Sequence, residues 1–310
     1  MSALICGSLA YDTIMVFPER FRDHILPEKI HILNVSFLVP EMRRQFGGVA
    51  GNIAYNLKLL GGEPYPMATV GDDFGPYQRH LDALEISTRY VRHIEGEFTP
   101  QAFITTDMDD NQITAFHPGA MMRSHLNKVS ETEGIKIGIV APDGKDAMLQ
   151  HSRDFRAMGI PHIFDPGQAM TLFNGDDLRT FIDQADWVVA NDYEFQLIKE
   201  RTGMSLDDVA NKVEALIVTR GGDGSTLYTR DGHETIKTAG AEKIEDPTGC
   251  GDAYRAGLIH GILNGLDLVT CCRIGSVMGA IKVEVQGPQN HAPSMADIES
   301  KFLEAYGYSF

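Results

Sequence analysis

In the stretch "EDPTGCGDAYRAG", Glu245 to Gly257, three small residues lead into Asp252, and an apolar, helix-like run follows. Gly249 and Gly251 permit backbone conformations that turn consecutive N–H groups toward one point. The helix that follows would add roughly half a positive charge at its N-terminus. Together these make an anion hole. Asp252 stands beside it, where a bound anion would repel its charge. A carboxylate there makes sense as a base that takes a proton from a nucleophile while the hole holds developing negative charge. Taken alone, G-x-G-D is more simply a glycine turn with a capping aspartate. The rest of the chain has to decide.

Other phosphate and nucleophile signatures are missing. There is no G-x-x-x-x-G-K-[ST], and "GGDGST" at 221–226 has the glycines without the lysine. "GCGDAY" opens like a dinucleotide fingerprint but has Tyr254 where the third glycine belongs. No G-x-S-x-G elbow and no H-E-x-x-H occur.

The elements that must position Asp252 are legible as a pattern. Short apolar runs ("ALICGSL", "IKIGIVA", "PHIFD", "WVVAND", "ALIVTRG") alternate with helical stretches such as "DDLRTFIDQA" and "YEFQLIKERTG". That alternation predicts βαβ units and a mostly parallel sheet covered on both faces, an α/β fold. "GNIAYNLKLLGG" predicts a helix with Ile53, Ala54, Leu57 and Leu60 on one face and Gly61–Gly62 as its stop. Residues 12–45 and 98–117 break the pattern and read as extended. "AFITT" and "ITAF" flank the polar turn "DMDDNQ" and predict a hairpin. No repeat, low-complexity tract or linker divides the chain, so residues 1–310 read as one domain.

Composition narrows the partners. With 310 residues, 43% of them hydrophobic and 23% charged, the chain has the make-up of a globular protein with a large core. The net charge of −16 argues against nucleic acid or an anionic membrane as partner. A nucleotide would have to be met locally, by backbone amides, a few cations and a metal. No apolar run approaches the roughly 20 residues of a membrane span, and "MSALICGSLAYD" reads as a strand and not as a signal peptide. Cys6, Cys250, Cys271 and Cys272 show no C-x-x-C spacing, which argues against zinc and for a reducing cytoplasm.

"DPTGCGDAYRAG" resembles the C-terminal signature of the ribokinase (PfkB) family of carbohydrate and nucleoside kinases, with Cys250 and Tyr254 replacing the usual alanine and phenylalanine. "FGGVAGNIAYNLKLLG" at 46–61 resembles the N-terminal signature, "NDYE" the acidic N-x-x-E motif, and "VTRGGDGSTLY" at 218–228 the nucleotide-binding strand–turn–strand. These motifs stand in family order along nearly the whole chain. The resemblance implies a ribokinase-like three-layer sandwich with a small β-sheet lid, formed by segments of about 12–45 and 98–117, that closes over the acceptor. It implies transfer of the γ-phosphoryl group of ATP to a hydroxymethyl group, with Asp252 as base and the amides of Gly249, Cys250 and Gly251 holding the phosphoryl. Asn191, Thr219, Gly221, Gly222 and Gly224 would meet ATP. Glu194 would order Mg²⁺ through water. A monovalent cation such as K⁺ would assist. Asp12, Gly47, Gly48 and Asn52 would grip the sugar hydroxyls.

"DPTGCGDAYRAG", "ITAFHPGAM" and "FDPGQ" look most like bacterial adenosine or nucleoside kinases, which implies phosphorylation of a nucleoside 5′-hydroxyl, adenosine or purine nucleosides broadly. Phe37, Phe103, Ile104 and Phe116 could wall the base, or could be ordinary lid core. Gln168 and His117 are further candidates for base or ribose contacts. A sugar kinase acting on ribose or fructose is the alternative. A binding protein that has lost catalysis is disfavoured by the intact Asp252, glycine pair and Asn191–Glu194. A nicotinamide-dependent enzyme is disfavoured by the missing third glycine. Exposed lid strands could pair into a homodimer, or pack to leave a monomer.

Overall fold

A strand buried on both faces needs a continuous apolar run, and a strand buried on one face needs alternation. Both kinds are present in the computed structural model, which describes residues 2–25, 31–32, 34–109 and 111–310. In chain order the strands are β1 (Ser2–Cys6), β2 (Ala10–Val16), β3 (Glu41–Gly47), β4 (Glu63–Val70), β5 (Tyr90–His93), β6 (Gln101–Thr106), β7 (Gln112–His117), β8 (Ile137–Val140), β9 (His162–Phe164), β10 (Trp187–Asn191), β11 (Ala215–Thr219), β12 (Ser225–Thr229) and β13 (Gly232–Ile236). The helices are α1 (Phe21–His24), α2 (Val49–Leu59), α3 (Gly75–Ala83), α4 (Lys145–Met158), α5 (Gly175–Gln184), α6 (Asp192–Thr202), α7 (Leu206–Ala210), α8 (Cys250–Leu263), α9 (Leu268–Val283) and α10 (Met295–Tyr306).

Nine strands form one sheet in the order β13-β12-β11-β10-β9-β8-β1-β4-β5. Pairing is parallel from β11 to β5, and only β12 and β13 join antiparallel. Along β1 the side chains divide between two cores. Ala3 and Ile5 pack with Leu57 of α2, Leu258 of α8 and Cys271 of α9. Leu4 and Cys6 pack with Phe155 of α4 and Phe181 of α5. Helices therefore cover both faces, and the result is the expected three-layer α/β arrangement. The α2 face is also as expected: Ile53, Ala54, Leu57 and Leu60 are all buried.

β4 was not legible as a strand because Pro64 and Pro66 interrupt it. Both sit before Met67, where pairing to β5 begins. The Met67 carbonyl accepts from Gly7 N on the β1 side, so the even-numbered prolines turn their missing N–H toward the side still unpaired.

The second sheet has four strands in the order β3-β2-β6-β7. It is built from the two segments that broke the α/β pattern. The hairpin β6–β7 pairs antiparallel as the sequence predicts, and β2 runs parallel to β6. Residues 26–30 and 33 of the segment 12–45, and Asp110 of the hairpin turn, lie outside the described residues. β7 is an outer strand, and all six of its residues are exposed.

Candidate active site

The carboxyl ends of the parallel strands carry Asp165 after β9, Asn191 at the end of β10 and Thr219 at the end of β11. That edge is where open α/β sheets bind ligands. α8 starts there. Its N-cap is Gly249, with φ of 81°, a left-handed conformation that an L-residue adopts only at a cost. A Cβ at Gly249 would also press on Pro288. The amides of Gly251 and Asp252 have no partner among the described residues, while Cys250 N–H donates to the Pro247 carbonyl at 3.2 Å. Of the three amides expected to hold an anion, the middle one is thus engaged in this conformation. Cys250 is the neighbour whose thiol burial pushes up to about 11, so it stays protonated and uncharged beside the hole.

Asp252 sits in the first turn of α8 and retains some exposure, yet protein surrounds its carboxyl. That desolvation pushes its pKa up to about 7 against two opposing influences, a hydrogen bond from Asn52 and the charge of Arg255. The Asn52 side-chain amide donates to Asp252 Oδ2 at 2.8 Å. A carboxylate poised near neutrality is what general-base work asks for.

Behind Asp252 lies a chain of hydrogen bonds that sequence reasoning missed. Asn52 Oδ1 accepts from Gln289 Nε2 at 3.0 Å, and the same Gln289 amide donates to Tyr77 Oη at 2.8 Å. Tyr77 Oη donates to the Gly47 carbonyl at 2.7 Å. His80 Nε2 meets Gln289 Oε1 at 2.9 Å. Asn52 was expected to meet a sugar hydroxyl. Here its Oδ1 is held by Gln289 and one of its two amide protons goes to Asp252, which leaves the second amide proton for a ligand hydroxyl. Residues 200 positions apart meet in the Asn52–Asp252 bond, which no local signal announces.

Arg255 and Asp165 form a second buried support. Arg255 Nη2 donates to Asp165 Oδ1 at 2.7 Å, Nε donates to Oδ2, and Nη1 donates to the Gly251 carbonyl at 3.0 Å. Such a two-pronged guanidinium–carboxylate pair is rigid, and it fixes the first turn of α8 to the end of β9. Its signal was present, since Arg255 lies inside the quoted signature and Asp165 opens "DPGQ".

Asp12 is placed on the same cleft from the small sheet. Burial, followed by the charge of Asp246, pushes its carboxyl up to about 6. A Cβ at Gly47 would run into the Asp12 carboxylate, so only glycine permits this close approach. Gly48 is the N-cap of α2, which carries Asn52. Asp12, Gly47, Gly48, Asn52, Asp252 and Gly249 are therefore brought together.

The aromatic expectations divide. In β2, β6 and β7 the register aligns Asp12 with Ala102 and Ala102 with Phe116, so Phe116 shares the Asp12 face. Phe103 aligns with Thr13 and lies on the opposite face, as does His117, which aligns through Gln101 with Tyr11. Ile104 is in register with Ile14 and shares the Asp12 face. Phe37 packs against Phe17 and Phe21, with ring centroids 4.7 and 5.0 Å apart, in a cluster of the small sheet's own. The sequence could not separate these rings, because a one-residue change of register exchanges the faces. Gln168 is exposed in the 3₁₀ helix Gly167–Leu172 that follows β9.

On the other side of Asp165, Asn191 caps α6 and forms a reciprocal capping box with Glu194. Asn191 N and Nδ2 donate to the two carboxylate oxygens of Glu194 at 2.8 and 2.9 Å. Burial and the charge of Asp165 raise the Glu194 pKa, and Arg255 opposes them. Gly221 and Gly222 stand in open space in the turn between β11 and β12, with Thr219 before it and Gly224 after. Among the described residues no group of three or more His, Cys, Asp or Glu side chains could hold a metal ion unaided.

The sequence profile of the pfkB family carbohydrate kinases matches residues 11–295. The chain belongs to that family. This pfkB-family chain is 34% identical to a nucleoside kinase of Methanocaldococcus jannaschii over 271 residues, 86% of this chain and 88% of the relative. Among solved structures, it resembles the nucleoside kinase of Burkholderia thailandensis in complex with inosine, with 52% identity, a TM-score of 0.90 and 99% of each chain covered. The same Burkholderia enzyme in complex with ADP-inosine matches with 53% identity and a TM-score of 0.88, over 99% of this chain and 97% of that one.

Proposed function

We propose that this protein is a nucleoside kinase that transfers the γ-phosphoryl group of ATP to the 5′-hydroxyl of a nucleoside. The observation that carries the reading is the pairing of two raised carboxyls on one cleft, Asp252 beside unpaired helix amides and Asp12 on the facing sheet. The 52% likeness to a nucleoside kinase crystallised with inosine supports the acceptor class.

In this reading Asp12 accepts hydroxyls of the ribose, and Gly47 and Gly48 give the sugar room. The half-exposed ring of Phe116 lies beside the base. Asp252 takes the proton of the 5′-hydroxyl, and Asn52 holds the carboxylate in line. The amides of Gly251 and Asp252, with the α8 N-terminus, hold the charge on the moving phosphoryl group. ATP lies along Asn191 and the 219–224 turn. Residues 12–45 and 98–117 act as the lid, on a single catalytic domain spanning 1–310.

The donor set fits Mg²⁺ of the kind that keeps its waters. Such an ion needs only one or two carboxylates together with phosphate oxygens, and Glu194 supplies one. Bound there, Mg²⁺ would neutralise phosphate charge. The four free cysteines suit a reducing compartment such as the cytoplasm, and no helix among the described residues is long and apolar enough to cross a membrane.

The test is ADP release with Mg·ATP across adenosine, inosine, guanosine, ribose and fructose, with the product position assigned by phosphorus NMR. Nucleoside 5′-phosphates are expected. Turnover confined to free sugars would refute the reading.

A further inference from the structure

Lys282 is fully buried in the last turn of α9, and no carboxylate pairs with it among the described residues. Its ammonium donates instead to two backbone carbonyls, Asp246 O at 2.8 Å and Val285 O at 3.0 Å. Burial lowers its pKa, and the nearby charge of Asp246, which makes no direct ion pair with it, offsets that only in part. A cation at a helix C-terminus is favourable in itself. That alone does not explain the bond to Asp246, which belongs to a different segment.

The two segments that Lys282 joins are those that build the site. Residues 245–248 lead into Gly249 and the anion hole. Residues 285–289 press Pro288 on Gly249 and supply Gln289, which holds Asn52 and through it Asp252. Around the ammonium the segments are laced together. Glu245 N and Asp246 N both donate to the Val283 carbonyl, at 2.8 and 3.1 Å. The Asp246 carboxylate accepts from Thr248 N at 2.9 Å and from Gly287 N at 2.8 Å.

A free monovalent cation would stabilise such a junction by gathering carbonyl oxygens from both segments. The K⁺ implied by the family resemblance does not fit here, because a tethered ammonium already takes the carbonyls of Asp246 and Val285. We propose that Lys282 is a built-in cation that positions the anion-hole turn, so that turnover needs no free monovalent cation. Lys282 is a positioning residue and touches neither substrate nor phosphate. The proposal rests on phosphoryl transfer at this anion hole, as read above.

The first measurement uses the wild-type protein with Mg·ATP and inosine. Rates are compared in tetramethylammonium, sodium and potassium chloride at matched ionic strength. Activity that changes less than about twofold is expected, and stimulation of about tenfold by K⁺ would overturn the proposal. No turnover in any salt, with any nucleoside, would instead be a failure of the kinase reading, so the two are distinguishable. The second measurement uses Lys282→Ala, checked for folding by circular dichroism. Its kcat should fall on the order of 10- to 100-fold through misplacement of the turn, with the KM for inosine little changed. Methylammonium, ammonium or K⁺ should restore part of that loss. Wild-type kcat in Lys282→Ala, or a loss in the folded variant that no cation restores, would overturn the proposal. If Lys282→Ala does not fold, the salt comparison on the wild type decides the proposal by itself.

Discussion

Asp252 and Asp12 face one cleft from two differently built regions. At the N-terminus of α8 each polar group is held from several directions. Asn52 fixes the Asp252 carboxylate, Gln289 and Tyr77 fix Asn52, and Arg255 ties the Gly251 carbonyl to Asp165. The small sheet is open by comparison. Its outer strand β7 is exposed along its length, and Ile113 and Phe116 are 46% and 52% exposed. The contrast teaches a division of work. Phosphoryl transfer depends on prearranged charge and dipoles, which needs a rigid surround. Choosing an acceptor needs an apolar wall that admits a substrate and then covers it. Substitutions at α8 should therefore lower turnover for every acceptor alike, and substitutions in the small sheet should act on acceptor binding and choice.

The largest effect belongs to Asp252→Asn. The neutral amide keeps the shape and can still meet Asn52, so folding and binding should persist. Turnover should drop by about 10²–10⁴-fold or more, equally for every acceptor. Retention of a tenth of wild-type kcat would take the base role from Asp252.

Asp12→Ala comes next and should act differently. Loss of charge-assisted hydrogen bonds to two hydroxyls should weaken nucleoside binding by roughly 2–4 kcal/mol. ATP binding, read by calorimetry, should hardly change. Equal losses for both ligands would erase the distinction between the two regions.

A sharper form of the comparison lies within the small sheet. Phe116→Ala should lower nucleoside kcat/KM by about tenfold, within the range of one base stacked on an aromatic ring. Phe103→Ala, on the opposite face, should have a much smaller effect. The reverse order would mean that the sheet presents its other face to the base.

The smallest effect on acceptor choice is expected for Asn52→Leu. Asp252 must be ionised to act, so kcat/KM of the wild type should fall as pH drops through about 7. The Asn52 amide stabilises the charged form and holds that pKa down. Its removal raises the pKa, so the acid limb should move to higher pH, and the alkaline plateau should fall by the same factor for every acceptor because the carboxylate is no longer held in line. An unmoved limb would show that the titration belongs to another group.

How far the sequence reached follows from the range of each interaction. The α8 turn was legible because Gly249, Gly251 and Asp252 are consecutive and the helix N-terminus makes their chemistry local. β1, β8, β10 and β11 were legible because parallel strands buried on both faces are unbroken apolar runs. β4 was hidden by Pro64 and Pro66. Gln289 gave no signal, since its partners Asn52 and Tyr77 lie 237 and 212 residues away. Lys282 reads in sequence as an ordinary basic residue near a helix end, and only the approach of the Asp246 carbonyl from another segment sets it apart.

The most direct test of the division of work is the ratio of kcat/KM for inosine to that for ribose, measured with Mg·ATP in the wild type and in Phe116→Ala. The wild type should favour inosine by about ten- to hundredfold, the worth of an added base against an apolar wall. Phe116→Ala should remove much of that ratio and leave ribose turnover nearly unchanged. Equal or better efficiency with ribose in the wild type would contradict the account and make this chain a sugar kinase.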